Sequence, residues 1–434
     1  MPRDRNAYQI YLALQLALGV CLGLVYTTVA VYLIDVAGLN PLQLVLVGTA
    51  MEVAYFCFQI PTGVLADTVS RRACVVGGVA SLGVGCGLEG SIPRFWGILL
   101  AQVFAALGFS LLNGAEEAWV AAEVGTERLT RVYLRGSQAA LVGMVCGTAA
   151  SAAVASVRLN LPLLVGAVAL VLLAGALSLV MPETARPGQR RAGHLRAGHR
   201  RAGHRRAGRR RLLRDFSTGA GTTWRTIRVH PAFLLVFGVV ALLGTWSEGL
   251  DRLWGAHLLA DYVLPTFGGL SPVTWFSVLS VAATLLSLVV THLIGRRVDE
   301  TGSTSTMRLL LGIVAVLCVA TVVFALAADF STAIAAYLVA GALRNAYTPV
   351  LDAWLVKRTD ERVRATMLSA KDMFDSGGQV IGGPIIGLVG AVASVRAAIV
   401  AAAVMLPPAG ALLLLALRRS ARSVPLRPEA PKPC

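Results

Sequence analysis

Gly63-Val-Leu-Ala-Asp67-Thr-Val-Ser-Arg71-Arg72 follows the second long apolar run of the chain. The same pattern, a Gly and then an Asp four residues later, returns 232 positions on in Gly295-Arg-Arg-Val-Asp299-Glu-Thr-Gly302. A second pair of segments, Asn113 to Trp119 and Asn345 to Trp354, has offsets of 232 to 235. Two features at nearly one offset indicate an internal repeat. The chain is therefore predicted to consist of two halves built alike.

Composition predicts a membrane protein. Apolar residues make up 56% of the 434 residues and charged residues only 14%, whereas a soluble domain carries about 25% charged residues. Apolar runs of about 20 residues, enough to cross a bilayer as a helix, recur along the whole length. The first run, 8–34, is too long for a signal peptide and lacks a cleavage site. We predict an all-α polytopic membrane protein that is not an enzyme.

The apolar runs predict twelve transmembrane helices in two pseudo-symmetric six-helix bundles. The first bundle is expected at 1–182 and the second at 231–418, with a connecting linker at 183–230 and a tail at 419–434. The twelve predicted spans are 8–34, 41–64, 73–91, 95–116, 133–157, 160–181, 232–258, 271–294, 307–327, 331–355, 367–392 and 396–417.

The distribution of basic residues predicts the orientation. On one side the short connections and the two ends carry many basic residues, among them Arg71, Arg72, Arg296, Arg297, Lys357 and Arg358, whereas the opposite connections hold only Arg94, Arg158 and Arg396. The positive-inside rule then makes both termini cytoplasmic. Arg outnumbers Lys by 36 to 3, which suggests a GC-rich bacterial source and hence a bacterial inner membrane.

The linker holds most of the net charge of +16. Residues 183–230 contain 14 Arg and two acidic residues, and the motif Arg-Ala-Gly-His occurs three times, from Arg191, Arg196 and Arg201. Three His at one spacing would suit a metal ion or a polyanion. A flexible linker that touches anionic lipid headgroups is the favoured interpretation, because Gly in every repeat opposes a fixed helix. Because most of the net charge lies in the linker, we expect no nucleic-acid partner. The seven Cys lack a Cys-x-x-Cys motif and are expected to be packing residues, and no metal or cofactor is expected.

The segment Gly63 to Arg72 resembles the signature between spans two and three of the major facilitator superfamily. The weaker copy at Gly295 to Gly302 is similar to the one between spans eight and nine. With Asn113 to Trp119 at the end of span four, the chain looks most like the bacterial drug–proton antiporters of that superfamily. The resemblance covers residues 1–420 apart from the linker. It implies the superfamily's two-bundle architecture and secondary transport of a small molecule.

The duplicated loops are expected to act as a cytoplasmic latch that holds one conformation. Gly63 would let span two approach a neighbouring helix closely, and Asp67 would face the positive N-terminus of span eleven. Arg71 or Arg72 would pair with Glu117 or Glu123. In the second copy, with Gly295 and Gly302, Asp299 would face span five and Asp352 would be the matching acid on span ten. The alternative is that these loops only set membrane topology.

Charged residues inside the spans are candidates for coupling and substrate binding, because a charge at the bilayer centre costs about 2.5–3.5 kcal/mol on insertion scales. Glu52, near the middle of span two, is the leading candidate for a proton- or cation-binding carboxylate. Alternatively, it only hydrogen-bonds a neighbour in the cavity.

In span seven, Glu248 and Arg252 are four residues apart and are expected to pair. Asp251 is either a second coupling acid or a hydrated rim residue. Arg344 in span ten is expected to pair with Glu52, Asp251 or Asp375. Lys371 is expected to pair with Asp375 and to leave Asp372 free.

Two glycine motifs are expected to pack helices closely. The antiporter signature that the resemblance implies for span five retains Gly143 and Gly147 but lacks its Pro. A better match, Gly378, Gly382, Gly383 and Pro384, lies in span eleven.

Halves built alike are typical of transporters that work by alternating access. No ATP-binding motif occurs, so an ion or substrate gradient must drive transport. We predict a monomer that exports a small hydrophobic or amphipathic compound in exchange for protons. The alternatives are a proton-coupled symporter for a nutrient, or a membrane sensor or scaffold whose linker recruits a partner.

Overall fold

The computed structural model describes residues 2–68, 70–124, 129–182, 231–264, 272–300, 303–359 and 364–422. The predicted linker at 183–230 and most of the predicted tail lie outside these residues. So does Gly302. The side chains of Asp67 and Asp299, near the ends of two helices, are also outside the description.

The described residues form fifteen α-helices and one π-helical turn. The helices of the first half are α1 (Pro2–Tyr26), α2 (Val29–Val31), α3 (Pro41–Thr68), α4 (Arg71–Ser91), α5 (Phe95–Leu112), α6 (Ala115–Val124), α7 (Leu129–Ala155) and α8 (Leu161–Val180), with the π turn at Tyr32–Val36. Those of the second half are α9 (Pro231–Asp261), α10 (Pro272–Glu300), α11 (Ser303–Leu326), α12 (Phe330–Arg358), α13 (Arg364–Val392), α14 (Val395–Ala403) and α15 (Leu406–Arg422).

These elements make twelve passes, which confirms the predicted fold. Span one consists of α1, α2 and the π turn, span four of α5 and α6, and span twelve of α14 and α15. Within the described residues, ten passes are long and apolar enough to cross a bilayer. The other two are α12 and α13, whose length of 29 residues each also suffices.

Local sequence explains where the helices break and begin. Gly114 has φ +75°, a left-handed conformation that glycine adopts readily, and it separates α5 from α6. Asp329 caps α12 by accepting a hydrogen bond from the backbone N–H of Thr332. That bond, made outside the membrane span, lowers the pKa of the Asp329 carboxyl. Ser394 caps α14 in the same way.

Each half packs its own helices, and the halves meet along a single main contact. In the first half α1 packs on α7, and α4 packs on α5 and α8; in the second half α9 packs on α13 and α15, and α11 on α12. Between the halves, α3 lies against α13, with smaller contacts of α3 with α9 and of α7 with α10. We call the α3–α13 contact the seam.

The seam lies at one end of the molecule. A Cβ added to Gly390 would lie 2.9 Å from Pro41 Cβ, and one added to Gly387 would lie 3.0 Å from Val45 Cβ. Both glycines are in the last part of α13, and Pro41 is the first residue of α3. The two halves therefore close at the end where α3 begins and α13 finishes.

Candidate functional site

An ion pair within α9 lies beside the seam. Arg252 Nε lies 3.1 Å from Glu248 Oε1, and the Glu248 side chain is only 2% exposed. This is the pair that the four-residue spacing predicts. A Cβ on Gly48 of α3 would overlap Glu248 Oε1 and Arg252 Nε, and one on Gly383 of α13 would lie 3.0 Å from Glu248 Cγ. The pair therefore fits between α3 and α13 because each helix has a glycine beside it.

Glu52 lies one turn beyond Gly48 on α3 and joins the two halves. The Ser376 hydroxyl of α13 donates a hydrogen bond of 2.8 Å to Glu52 Oε2. The carboxylate therefore faces the partner helix of the seam. Any separation of α3 from α13 at this level would break that bond.

Arg344 of α12 pairs with Asp251 of α9, one of the three partners considered from the sequence. The Asp251 side chain is 42% exposed. Because the two residues lie on different helices, the pair ties α9 to α12 inside the second half.

The predicted partner of Lys371 is wrong. Lys371 Nζ lies 2.8 Å from Asp352 Oδ1 and 3.1 Å from Asp372 Oδ1, so Asp372 is not free. Asp375 instead accepts a hydrogen bond from Gln379 Nε2 at 2.8 Å. The reason is that α12 brings Asp352 directly to the ammonium group. Spacing along one helix cannot reveal a competitor on its neighbour.

The charged groups of the second half surround a cavity of about 140 Å³. Helices α9, α11, α12 and α13 line it. Its walls include the apolar side chains of Val240, Leu243 and Leu317 and the indole of Trp246. Its charged lining residues are Arg344, Lys371, Asp372 and Asp375.

Sequence reasoning missed Tyr347, which also lines this cavity. The side chain is 7% exposed, and its hydroxyl has no hydrogen-bond partner among the described residues. Arg344, Tyr347 and Thr348 all line the cavity and are three or four residues apart, so they lie on one face of α12. Its spacing of three residues from Arg344 could have predicted that Tyr347 faces the same cavity.

The predicted latch is only partly described. Arg71 donates a hydrogen bond of 3.0 Å to the Ala118 carbonyl, and Arg72 donates to the Ser178 carbonyl. The carbonyl of Glu117 accepts a hydrogen bond from Tyr133. Asp352, expected to be the matching acid on span ten, accepts a hydrogen bond of 2.8 Å from Lys371. Gly295 lies within α10.

The close approach expected at Gly63 is not found among the described residues. A Cβ there would have no described atom within 4 Å. The physical reason is the position of the seam, because Gly63 lies at the opposite end of α3 from Pro41.

The predicted packing glycines do lie at close helix contacts. A Cβ on Gly143 or Gly147 would overlap the main chain of α1. One on Gly378 would overlap the main chain of α9 at Ala241, and one on Gly382 would overlap Thr245. Pro384 lies in the interior of α13. Two matching glycines on α1, Gly19 and Gly23, were missed.

Two further buried polar groups were missed. Glu89 in α4 is 7% exposed and accepts a hydrogen bond of 3.4 Å from Gln102. His257 in α9 is fully buried, with Nδ1 2.6 Å from Asp261 Oδ2 and Nε2 2.9 Å from the Phe324 carbonyl oxygen. Arg396 holds the other Asp261 oxygen at 3.2 Å. An acid inside an apolar run was the signal for Glu89, as it was for Glu52.

Comparison with solved structures supports the fold. A point mutant of the nucleoside transporter NupG matches with a TM-score of 0.74 and 13% identity, over 95% of this chain and 99% of the other. A bacterial homologue of the human lysosomal transporter Spinster, in an inward-facing and unoccupied conformation, matches with a TM-score of 0.73 and 16% identity, over 97% and 98% of the chains. A POT family transporter in complex with a thioalcohol-conjugated peptide matches with a TM-score of 0.71 and 13% identity, over 96% of this chain and 96% of the other.

Sequence comparison identifies the family. An uncharacterized MFS-type transporter, YxaM of Bacillus subtilis (strain 168), is 25% identical over 123 residues, which are 28% of this chain and 31% of that relative. The match therefore spans about a third of that relative. The family model described as Major Facilitator Superfamily matches residues 11–339 and 260–433. The chain thus belongs to the Major Facilitator Superfamily.

Proposed function

We propose that this transporter exports small hydrophobic or amphipathic compounds in exchange for protons, by alternating access. The observation that carries the proposal is the seam at one end, with a carboxylate, Glu52, bonded across it to Ser376. Separation of the halves at the seam breaks the hydrogen bond of this carboxylate, which links its environment to the conformational change, as a coupling acid requires.

The orientation predicted from the basic residues makes the closed end the outer one. Both termini are then cytoplasmic, and the described conformation is open to the cytoplasm. The likeness to a Spinster homologue solved in an inward-facing conformation supports this assignment. Inward opening is the state in which an exporter loads its substrate.

The remaining features complete the proposal. The protein acts as a monomer in a bacterial inner membrane and is not an enzyme. The segments 1–182 and 231–418 are its two moving units, and the linker 183–230 rests on anionic lipid headgroups. The loops around Gly63 and Gly295 latch the opposite, outward-open state.

Everted membrane vesicles test the direction of transport. We would screen a panel of neutral and cationic fluorescent dyes against vesicles that carry the protein and vesicles that lack it, with an acid-inside pH gradient imposed. Export predicts protein-dependent dye uptake that stops when the gradient is collapsed. Uptake driven only by the reversed gradient would establish symport instead.

The variant Glu52→Gln tests the coupling. It should abolish gradient-driven dye uptake while substrate exchange across proteoliposomes without a gradient continues, because exchange requires no net proton movement. Asp35→Asn, which removes an exposed acid near the outer end of span one, is the control. Unchanged gradient-driven uptake by Glu52→Gln would refute its role.

A further inference from the structure

The cavity in the second half carries a surplus of negative charge. Its two cations are already neutralised: Arg344 is paired with Asp251, and Lys371 contacts both Asp352 and Asp372. Among the described residues, Asp372 and Asp375 are the two carboxylates on the cavity wall. With the ion-pair partners Asp251 and Asp352, four carboxylates accompany the two cationic groups. An anionic ligand would have to displace acids from both cations, whereas a cationic ligand meets an available carboxylate.

Asp375 is that carboxylate. Gln379 donates a hydrogen bond to it, and within the described part of the chain no cationic side chain lies within 4 Å of it. Its main-chain carbonyl packs against Gly244 of α9, which holds the residue in place. Asp375 is half-buried, and a half-buried carboxylate without an ion-pair partner favours a cation.

Tyr347 supplies an independent sign of a ligand. A buried hydroxyl that lacks a partner has given up its hydrogen bonds to water without replacement, so buried polar groups are normally satisfied. Tyr347 is buried, it lines the same cavity as Asp375, and its oxygen is unpartnered among the described residues. Its oxygen can accept a hydrogen bond from an N–H group that also binds Asp375.

We infer that this cavity binds the protonated amine group of an amphipathic substrate. The ammonium donates hydrogen bonds to the Asp375 carboxylate and to the Tyr347 oxygen. Its carbon skeleton lies against Val240, Leu243 and Trp246. A cavity of about 140 Å³ accommodates the amine and the first part of the skeleton, not a large substrate. This inference deepens the proposed function by naming its substrate class.

Binding to the purified full-length protein tests the inference separately from transport. The probes are 4-phenylbutylamine, 4-phenylbutanol and 4-phenylbutanoate, which share one skeleton and differ in charge. Thermal unfolding in detergent is followed at increasing probe concentration. The amine should raise the melting temperature in a saturable way, and the alcohol and the carboxylate should not.

Variants assign the effect to the two residues. Asp375→Asn should raise the half-saturating concentration of the amine roughly tenfold or more, as expected for loss of a charge-assisted hydrogen bond. Tyr347→Phe should raise it several-fold, and the control Asp35→Asn should leave it unchanged. If the carboxylate stabilises the protein more than the amine, or if Asp375→Asn binds the amine as tightly as the parent, the inference is wrong. Gradient-driven export of a neutral dye would still support the proposed function in that case.

Discussion

The α-carbon of Gly48 on α3 faces the guanidinium group of Arg252 on α9, where the two halves meet beside the seam. A Cβ at position 48 would lie 2.6 Å from Arg252 Cζ and would overlap Glu248 Oε1. The ion pair of one half fits against a helix of the other half in this position because residue 48 has no side chain. A side chain there would displace the ends of Glu248 and Arg252.

Gly48→Ala should therefore favour the conformation in which the halves separate at the seam. Overpacking a close contact costs about 1–3 kcal/mol, and separation relieves it. Hydrogen–deuterium exchange measured by mass spectrometry should show faster exchange at the start of α3 and the end of α13. Gly312→Ala, where a Cβ would meet no described atom within 4 Å, should exchange like the parent. Equal protection in the Gly48 variant would refute this account.

Gly147→Ala should destabilise the first half without opening the seam. A Cβ on Gly147 would lie 2.8 Å from the Leu24 nitrogen, so α7 and α1 must move apart. We expect the free energy of unfolding to fall by about 1–3 kcal/mol. Thermal unfolding in detergent measures the loss, with Gly175→Ala as the control because no described atom lies within 4 Å of its added Cβ. Equal losses in the two variants would contradict the assigned packing.

Lys371→Met should reduce stability because it leaves Asp352 and Asp372 without their shared cation. Removal of one partner of a partly buried ion pair is expected to cost about 1–3 kcal/mol. In a double-mutant cycle, Asp352→Asn combined with Lys371→Met should lose less than the sum of the two single losses. Strict additivity of the two losses would show that the 2.8 Å contact contributes no coupling energy.

His257→Gln should weaken the attachment of α9 to α11. Both ring nitrogens of His257 face oxygen atoms, on Asp261 and Phe324, and glutamine cannot reproduce both contacts. The expected loss is about 1–3 kcal/mol of unfolding free energy. His292 on α10 is exposed, and His292→Gln provides the matched control. A loss no larger than that of the control would show that the buried imidazole is not a structural tie.

The helices were predictable because a helix that crosses a bilayer needs an apolar run of about 20 residues. The Glu248–Arg252 pair was predictable for a similar reason, since both residues lie on one helix at a fixed spacing. The partner of Lys371 was not, because Asp352 reaches it from another helix. Gly48, Gly19 and Gly23 were missed as well. A glycine in an apolar run becomes informative only when the facing helix is known.

At the seam, glycines of α13 face side chains of α3 such as Pro41 and Val45, whereas the cavity wall consists of side chains. Substitutions in the cavity wall can therefore accumulate without altering how the two halves close at the seam. Evolution of such a protein toward a new substrate would change cavity residues such as Leu243 or Thr348. It would retain Gly383 and Gly387, which pack against α3.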